Sequence, residues 1–434
     1  MSTLLEALPR TRTSRVCAPR TKQPDELLNI NHIRAFVKVA ECGGIASASK
    51  ELSLSPSSVS RSIQQIEECL GAPLLERHPR GSFLSSYGKQ LLFRAQSAIR
   101  ELNAIPRMKM DDRKGAVNSL EHLLNTRRLQ MFVKLCELRH MPSVAAEMGI
   151  SQPAISLGIG ILESGVGDVL FERSTLGLAP TRQALSMELR CRRALNELRL
   201  IPDEIAALRG SMQGVVTIGV IPLGRPVILP EAIAQATTRH AGLQIVTRED
   251  SFDELVAGLR ATDIDFIYGP LLLDGIEGHL QSEALFEEDV ALLVGQDNAL
   301  LKKRTTLKDL EGARWILPPK SGPARLLLNS AFIDAGMRPP SPVVESSDLA
   351  IIRGLLSKTN MVAALLSYQM PYETGGGGIK RLPVQFPGTV CKMRMGFCYR
   401  AENRLSPGAQ FLMDAIRGIA EKRSLPLTER PIPL

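Results

Sequence analysis

A run of short hydrogen-bonding side chains with one cation has the chemistry needed to read the edges of DNA bases. Its members, in chain order, are Ser55, Pro56, Ser57, Ser58, Ser60, Arg61, Gln64 and Gln65. Serine, glutamine and arginine match the donors and acceptors that bases present in the major groove. Arg77 and Arg80 follow, and their cations suit phosphates. These residue types indicate a nucleic-acid-binding surface, although Arg61 taken alone could be an ordinary solvated arginine.

The stretch that contains this surface is repeated. Residues 33–77 recur without a gap as residues 129–173, at a constant offset of 96. A period of this kind sets the architecture, because each copy is one structural module. We therefore expect two small modules, copy one and copy two, before a long remainder. Copy two repeats the candidate surface in part, with Ser151, Gln152, Pro153 and Ser156.

Helices that would position this surface can be predicted in copy one. Apolar residues at helical spacing predict a first helix that ends at Gly43 and Gly44, and a second helix over residues 45–52. Ser55 is placed to cap a third helix, with Pro56 at its first position. The third helix would bury one apolar face, consisting of Val59, Ile63, Ile66 and Leu70, and end at Gly71. The second and third helices are joined by a short turn at residues 53–54, which is typical of a helix-turn-helix. Two short strands around the basic turn at 77–81 predict a wing.

Both copies resemble the N-terminal winged helix-turn-helix of LysR-type bacterial transcription regulators. Copy two carries the more specific match, in the run 151–156, Glu163, Gly167, the run 170–173, and Pro180 with Thr181. Copy one matches the family pattern less closely at the start of its third helix, but it keeps the basic residues. The resemblance implies that each copy is a DNA-binding head, and it covers residues 124 to about 422 as one complete regulator. Copy one is then an additional head, which is a departure from the family pattern.

The two recognition helices have diverged. Where copy one has Arg61 and Gln64, copy two has Leu157 and Gly160. Gly158 adds a second glycine, and each glycine costs a helix interior about 1 kcal/mol relative to alanine. We interpret copy one as the head that binds DNA. Copy two is either a weaker reader or a retained dimerisation scaffold.

A helical segment follows each head. Apolar residues step by three and four through 92–102 and again through 191–208, which favours a coiled-coil stripe and dimerisation through linker helices. Pro202 is expected to kink or shorten the second of them. The alternative is that these helices pack only within their own chain.

From Gly214 the hydrophobic period changes from helical to alternating. Strands at 215–221, 243–247 and 265–268 alternate with helices at 229–239 and after Ser251, a pattern that favours a parallel sheet covered by helices. A second set follows: strands at 290–294, 315–317, 343–344, 361–366 and 393–398, and helices at 307–310, 323–335, 349–356 and 408–421. This order resembles the effector domain of the same regulators, which has two α/β lobes like a periplasmic binding protein with a ligand cleft between them. The fold class is therefore multidomain, α plus α/β.

The expected domain boundaries follow from these patterns. They are a disordered basic leader at 1–27, copy one at 28–87, a helix and linker at 88–114, copy two at 124–182, a linker helix at 183–210, an effector domain at 214–422 and a tail at 423–434.

Ligands in such sheets bind beyond the carboxyl ends of the strands, at helix N-termini. The residues expected there are Leu223, Gly224, Arg225, Tyr268, Gly269, Ser321, Gly322, Ser346 and Ser347. A guanidinium such as that of Arg225 binds carboxylates and phosphates through two hydrogen bonds. We therefore expect an anionic metabolite as effector. The alternatives are that Arg225 pairs with a surface carboxylate and that the three serines are merely helix caps.

Charge and composition agree with this division. Lys and Arg exceed Asp and Glu by seven in residues 1–114 and by one in residues 115–213, and they balance in the rest, for the net charge of +8. The electrostatic case for DNA thus lies mainly on copy one. No apolar run is long enough for a membrane helix and no apolar signal core is present, so a cytoplasmic protein is expected. The seven cysteines form no CxxC pair and the six histidines do not cluster, so neither a metal site nor an enzyme is indicated.

The predicted function is a sequence-specific, effector-controlled transcription regulator without a cofactor. Its expected partners are promoter DNA, a small anionic effector, further copies of the chain in a homodimer or homotetramer, and RNA polymerase. The alternative is a ligand-sensing regulator that acts through protein contacts and uses one or both heads for oligomerisation.

Overall fold

The computed structural model describes residues 27–78, 81–105, 121–174, 177–221, 228–271, 280–320, 322–366, 378–384, 392–401 and 404–424. Copy one and the helix after it consist of α1 (Ile30–Cys42), α2 (Ile45–Glu51), α3 (Pro56–Leu70), β1 (Leu75–His78), β2 (Gly81–Leu84) and α4 (Ser86–Asn103). Copy two and its following helix consist of α5 (Thr126–Leu138), α6 (Met141–Met148), α7 (Gln152–Val166), β3 (Phe171–Ser174), β4 (Gly177–Pro180) and α8 (Arg182–Leu208).

The offset of 96 governs the structure as well as the sequence. Each element of copy two begins 96 residues after its counterpart in copy one, including α8, whose counterpart α4 lies beyond the stretch compared in the sequence. The predicted core of copy one is confirmed: Ile33, Phe36, Val59 and Ile63 are all at most 3% exposed. The two heads are therefore two copies of one winged helix-turn-helix.

The helices α4 and α8 pack against each other within the chain, as in the second of the two alternatives. Their apolar faces belong to a single cluster that also takes in the inner faces of both heads. The expectation that Pro202 shortens the second linker helix is wrong, because α8 is 27 residues long and runs through Pro202 without a break. Ile201 and Ile205, which flank the proline on the buried face, are at most 2% exposed. Their burial offsets the backbone hydrogen bond that proline removes.

The remaining elements form the effector domain. They are β5 (Gln213–Val220), α9 (Ile228–Arg239), β6 (Gly242–Glu249), α10 (Phe252–Ala261), β7 (Phe266–Pro270), β8 (Leu280–Gly295), β9 (Trp315–Leu317), α11 (Pro323–Asp334), β10 (Pro342–Glu345), α12 (Leu349–Leu356), β11 (Val362–Leu366), β12 (Ile379–Leu382), β13 (Lys392–Arg400) and α13 (Pro407–Ser424). Residues 307–310, predicted as a helix, form a short 3₁₀ turn.

Two long strands join the lobes of this domain. Strand β5 pairs in parallel with β6 and β7, and β9 pairs in parallel with β10 and β11. Between these groups lie β8 and β13, antiparallel to each other and to their outer neighbours. The sheet is thus mixed rather than parallel throughout. Only residues 290–294 of β8 were predicted as a strand, because the first half of β8 is polar and lacks the apolar pattern of a buried strand.

Helices cover both faces of each lobe. In the first lobe, α9 and α13 pack on one face and α10 on the other. In the second, α11 covers one face and α12 the other. No single described helix has the length and hydropathy of a membrane span. Among the described helices, α6 and α7 meet these criteria only as a pair, and the pair is bent by 108°.

Asp203 lies where α8 meets the effector domain. Its carboxylate occupies the space beside Gly214, at the start of β5, where a Cβ would lie 2.2 Å from its Oδ2. Burial raises the pKa of Asp203 to about 6, and the charge of Arg199 and a hydrogen bond from Gln213 oppose the shift.

The raised pKa of Asp203 predicts a pH-dependent stability difference. A carboxyl with a raised folded-state pKa stabilises the fold fully below its ordinary value of 3.8, and this contribution is lost as the pH rises through about 6. We therefore expect the D203N variant to gain stability over the unmodified chain as the pH rises from 4 to 7. Urea unfolding midpoints across that range measure the difference. The control is D297N, because Asp297 is exposed. An equal difference in urea midpoint between D203N and the unmodified chain at pH 4 and at pH 7 would contradict the prediction.

Candidate nucleic-acid interface

The N-terminus of α3 presents the predicted serines at the surface. Ser55 caps the helix by accepting a hydrogen bond from the Ser58 backbone N–H at 3.1 Å. Its hydroxyl also lies 2.9 Å from that of Ser57 and 2.8 Å from that of Ser58. Residues 55–58 are exposed and Ser60 is half-buried. Short hydroxyls at an exposed helix N-terminus can bind a phosphate or a base edge.

Arg61, Gln64 and Gln65 extend this exposed face along α3. All three side chains are exposed, and within the described part of the chain Arg61 makes no ion pair. Gln64 donates from Nε2 to Glu68 Oε1 at 2.8 Å. Arg61 is therefore a cation directed to solvent from the middle of the recognition helix, and no carboxylate among the described residues pairs with it.

In each head, a glutamate near the end of the recognition helix binds the backbone at the start of the wing. Glu67 Oε1 accepts the backbone N–H of Leu74 at 2.7 Å, just before β1. In copy two, Glu163 Oε1 accepts the N–H of Leu170 at 2.9 Å in the equivalent place. Arg77 lies in β1 opposite Ser82. Arg80, the other predicted phosphate contact, lies outside the described residues.

The C-terminus of α3 is held by the linker helix of the other head. Arg209, which follows α8, donates from Nη2 to the carbonyls of Leu70 at 3.2 Å and Gly71 at 2.6 Å. Its guanidinium also lies over the Tyr87 ring, 5.5 Å from the centroid. A cation at a helix C-terminus is favourable and binds carbonyls that otherwise have no partner in the helix. Because β5 begins a few residues after Arg209, this contact joins the effector domain to the copy-one recognition helix.

Copy two presents a different face. Ser151 caps α7 by accepting from Ala154 N–H at 3.4 Å, and Ser151, Gln152, Pro153 and Ser156 are exposed as predicted for readers. Leu157, at the position of Arg61, is 68% exposed, and Ile161 is 37% exposed. A shallow, mainly apolar depression runs along this face, lined by Pro153, Ser156, Leu157, Gly160, Ile161 and Ser164. This surface lacks the cation that copy one offers.

Of the two α7 glycines considered in the sequence, Gly158 has a packing reason and Gly160 has none. A Cβ on Gly158 would lie 3.1 Å from the Met131 sulfur, so packing of α5 favours glycine there. Gly160 has no heavy atom within 4 Å of a Cβ position, and nothing in the structure requires a glycine at this site.

The predicted effector residues are only partly described. Leu223, Gly224, Arg225 and Ser321 lie outside the described residues. Gly269 lies beside Ile221 at the carboxyl edge of the first lobe. Tyr268 is fully buried and its ring lies 5.9 Å from that of Phe397. The prediction of Tyr268 as a residue of an open cleft is therefore wrong, because its ring forms part of the lobe core.

Ser346 and Ser347 lie at the carboxyl edge of the second-lobe sheet, just after β10. Ser346 donates its N–H to Leu317 O at 2.9 Å, which places it beside the segment that leads to Gly322. The cap of α12 is Asp348, which accepts from Ala350 and Ile351, and not Ser346 or Ser347. Ser346 Oγ accepts the Asp348 N–H at 3.1 Å, and Ser347 is half-buried. These polar groups and Gly269 are at the strand ends where the sequence analysis placed the cleft.

Cys398 is unsuited to redox chemistry in this fold. It is 2% exposed, and burial raises the pKa of its thiol to about 11. A protonated, buried thiol is a poor nucleophile. Cys391, seven residues earlier in the sequence, lies outside the described residues.

Comparison with family models matches nearly all of these elements. Residues 30–89 and 126–185 both match the bacterial regulatory helix-turn-helix protein of the lysR family, and residues 209–420 match the LysR substrate binding domain. The chain belongs to the LysR family of bacterial transcription regulators. The family resemblance of both heads, the fold class and the regulatory function are thereby confirmed. This LysR-type chain is a DNA-binding transcription regulator with a substrate-binding effector domain, and it is not an enzyme.

Relatives of this LysR regulator are found in several bacteria. The HTH-type transcriptional regulator GalR of Pseudomonas putida is 42% identical over 399 residues, which cover 92% of this chain and 99% of the relative. GbpR of Azospirillum brasilense is 27% identical, covering 72% of this chain and 92% of the relative. A full-length OxyR variant from Pseudomonas aeruginosa is similar in fold, with a TM-score of 0.52 and 22% identity, over 68% of this chain and 94% of that one.

The length of the alignment with GalR shows that the tandem heads are shared. One head and one effector domain, residues 126–420, amount to about 300 residues of this chain. An alignment of 399 residues must therefore include copy one. The additional head is a feature of both regulators.

Three residues that hold the two heads together were not predicted from the sequence. Arg94, Arg190 and Arg209 all make contacts between heads, described below for the first two. A signal was available for two of them: Arg94 and Arg190 are related by the offset of 96, as are Glu101 and Glu197. Extending the comparison beyond residue 77 would have revealed both pairs.

Proposed function

We propose that copy one is the principal DNA reader of this LysR regulator and that copy two is a weaker reader. The observation that carries this is the contrast at one helix position. Arg61 of α3 is exposed and without an ion pair in the described part of the chain, whereas its counterpart in α7 is the exposed Leu157. A cation at this position releases counterions from DNA and an aliphatic side chain does not.

The weaker role for copy two has its own support. Ser151, Gln152 and Ser156 are exposed on α7 and retain hydrogen-bonding groups of the kind that read bases. Copy two would then contribute some specificity and little affinity. The alternative, in which copy two is only a scaffold, predicts no effect of its polar residues on binding.

The effector domain is expected to bind its ligand at the carboxyl ends of its strands. We infer that a small molecule binds between the lobes, near Gly269, Gly322 and Ser346, and that it is an anion. The second inference depends on Arg225. Assembly into homodimers or homotetramers, contact with RNA polymerase and a cytoplasmic location are further proposals consistent with the family.

Substitution at equivalent positions of the two heads tests the proposal. R61A should weaken binding to an operator by about 1–3 kcal/mol, roughly 5- to 150-fold. It should also reduce the slope of log K against log salt concentration by about 1, because one phosphate contact is lost. L157A, the matched control, should change neither quantity. L157R with G160Q restores the copy-one residues in copy two, and it should raise affinity and steepen the salt dependence. Fluorescence anisotropy with operator DNA at several salt concentrations measures all three variants.

Point substitutions are preferable to deletion of copy one. Removing residues 1–114 would expose the face of α8 that packs on α4 and would destabilise the remainder. If R61A bound like the unmodified chain while L157A or substitution of Gln152 abolished binding, copy two would be the reader and the proposal would be wrong.

A further inference from the structure

We propose that a single chain supplies a complete pair of DNA-reading heads, related by an approximate two-fold axis, and that this pair binds an inverted repeat with one strong and one weak half-site. The pairing rests on contacts within the chain. The inequality of the half-sites rests on the proposed function of copy one.

Two reciprocal ion pairs define the axis. Arg94 of α4 contacts Glu197 of α8, with Nη1 and Oε2 3.0 Å apart. Arg190 of α8 contacts Glu101 of α4, with the same atoms 2.8 Å apart. Since Arg190 and Glu197 are the 96-residue counterparts of Arg94 and Glu101, each contact is the reciprocal of the other, as in an isologous interface. Two unrelated helices in contact would not produce this exchange.

A contact between the first turns of the two heads lies close to the axis. The backbone N–H of Ile30, the first residue of α1, donates to Thr126 Oγ1 at 3.0 Å, and Thr126 is the first residue of α5. The same hydroxyl donates to Leu28 O at 2.9 Å. Ile30 and Thr126 are counterparts at the offset of 96, and equivalent residues meet only where a two-fold axis passes between them. The helices that begin the two heads therefore adjoin this axis.

The apolar seam between the linker helices follows the same symmetry. Four pairs of counterparts, each at most 1% exposed, belong to one cluster: Leu91 and Met187, Ala95 and Cys191, Ala98 and Ala194, Leu102 and Leu198. The seam that the sequence analysis assigned to dimerisation is thus covered by the chain itself. A second chain adds another head pair and does not complete the first.

The symmetry places the two recognition helices in equivalent positions. Heads related by a two-fold axis bind half-sites of opposite direction, spaced by about one turn of DNA, roughly 10–10.5 base pairs, or a multiple of it. Because α3 carries Arg61 and α7 carries Leu157, the two halves are read with different strength. A regulator with two identical heads binds a palindrome, whereas this head pair fits a single asymmetric site.

Cross-linking of the full-length R190K variant tests the pairing. The substitution keeps the charge, and a carbodiimide condenses its amine with the Glu101 carboxyl with loss of one water. We expect a product of one chain mass, 47.4 kDa less one water, with a peptide link between positions 101 and 190. R190M, which lacks the amine, should give no such link. A 101–190 link between two chains, found in a species of twice the chain mass, would show that heads pair between chains and would overturn the proposal.

DNA binding by the cross-linked R190K chain completes the test. Unchanged operator affinity is expected, because the link joins groups already in contact in the reading unit, whereas loss of binding would overturn the proposal. Base-pair changes in one half-site should weaken binding about tenfold or more each, and the same changes in the other half-site less. Equal effects in both halves would refute the asymmetric site. If R61A failed to weaken binding while the one-chain link formed, the copy-one assignment would be wrong and the pairing correct.

Discussion

The R94M variant is expected to be about 3–5 kcal/mol less stable than the unmodified chain, because it leaves buried carboxylates without their counter-charge. Arg94 and Glu197 are each 1% exposed, and Glu204 is 4% exposed. Arg94 makes five hydrogen bonds, to both carboxylates and to the carbonyls of Arg404 and Leu405 in the effector domain. These bonds match the five N–H donors of a guanidinium. Methionine fills a similar volume and replaces none of them.

The position of Arg94 explains why this loss affects the whole molecule. Its carbonyl partners precede α13, at 2.6 Å from Nη1 for Arg404 and 2.9 Å from Nη2 for Leu405. Arg94 therefore joins the copy-one linker helix, the copy-two linker helix and the first lobe at one buried point. We expect R94M to loosen the docking of the head pair on the effector domain as well as to lower the free energy of unfolding.

The pseudo-symmetry provides a matched control for this prediction. Arg190 is the counterpart of Arg94, but it is 34% exposed and its partner Glu101 is 12% exposed. R190M should therefore cost no more than about 1 kcal/mol, as expected of a partly exposed ion pair. Urea unfolding measures both variants, and equal losses would contradict the argument from burial.

Two further measurements separate charge from packing at Arg94. Burial raises the pKa of Glu197 even with Arg94 beside it. Because protonation neutralises an unpaired carboxylate, the deficit of R94M should shrink as the pH falls from 8 to 5. Replacing all three charges by apolar residues, in R94M with E197L and E204M, should restore much of the stability. Failure of both would show that lost packing dominates.

The second large effect is expected at Gly396, which lies on β13, one of the two strands that join the lobes. A Cβ at this position would lie 1.9 Å from the Glu283 carbonyl oxygen on β8, closer than atoms can approach. The register of β13 against β8 also shifts between Met395 and Gly396, as at a β-bulge. G396A should force the two strands apart and cost about 1–3 kcal/mol or more, the range for overpacking a close-packed site.

A second glycine provides the control for G396A. Gly418 lies within α13, with no heavy atom within 4 Å of a Cβ position. G418A should therefore be neutral or stabilise the chain by up to about 1 kcal/mol, because alanine favours a helix. Thermal unfolding distinguishes the two variants. A loss of stability in G418A, or none in G396A, would contradict the steric argument.

Much of each head was predictable because its signals are local. Ser55 caps the copy-one recognition helix where expected and Gly71 ends it in the left-handed conformation, and Ser151 and Gly167 do the same in copy two. The offset of 96 identified both heads and their family resemblance. In the effector domain, β9 and α12 have the predicted bounds. Caps, apolar spacing and turn residues act between neighbours in the chain, so they can be read from the sequence.

Other features could not be read in this way. The first half of β8 has no clear alternation of apolar and polar residues, so its sequence does not predict a strand. It is a strand because β13 pairs with it. Tyr268 was predicted to line a cleft but is a core residue, since Phe397 and the helices of the first lobe cover it. Each outcome depends on which distant segment packs against the residue.

The sequence by itself determined that this chain has two helix-turn-helix heads of one family, that only the first keeps a cation on its recognition helix, and that an α/β effector domain follows. Only the tertiary structure decided that the heads pair with each other, that Arg94 is buried among carboxylates while Arg190 is not, and that Arg209 holds the end of α3. The physical reason is separation along the chain. Arg94 contacts groups about 100 and 310 residues away, and the burial that makes such contacts strong exists only once those segments have packed together.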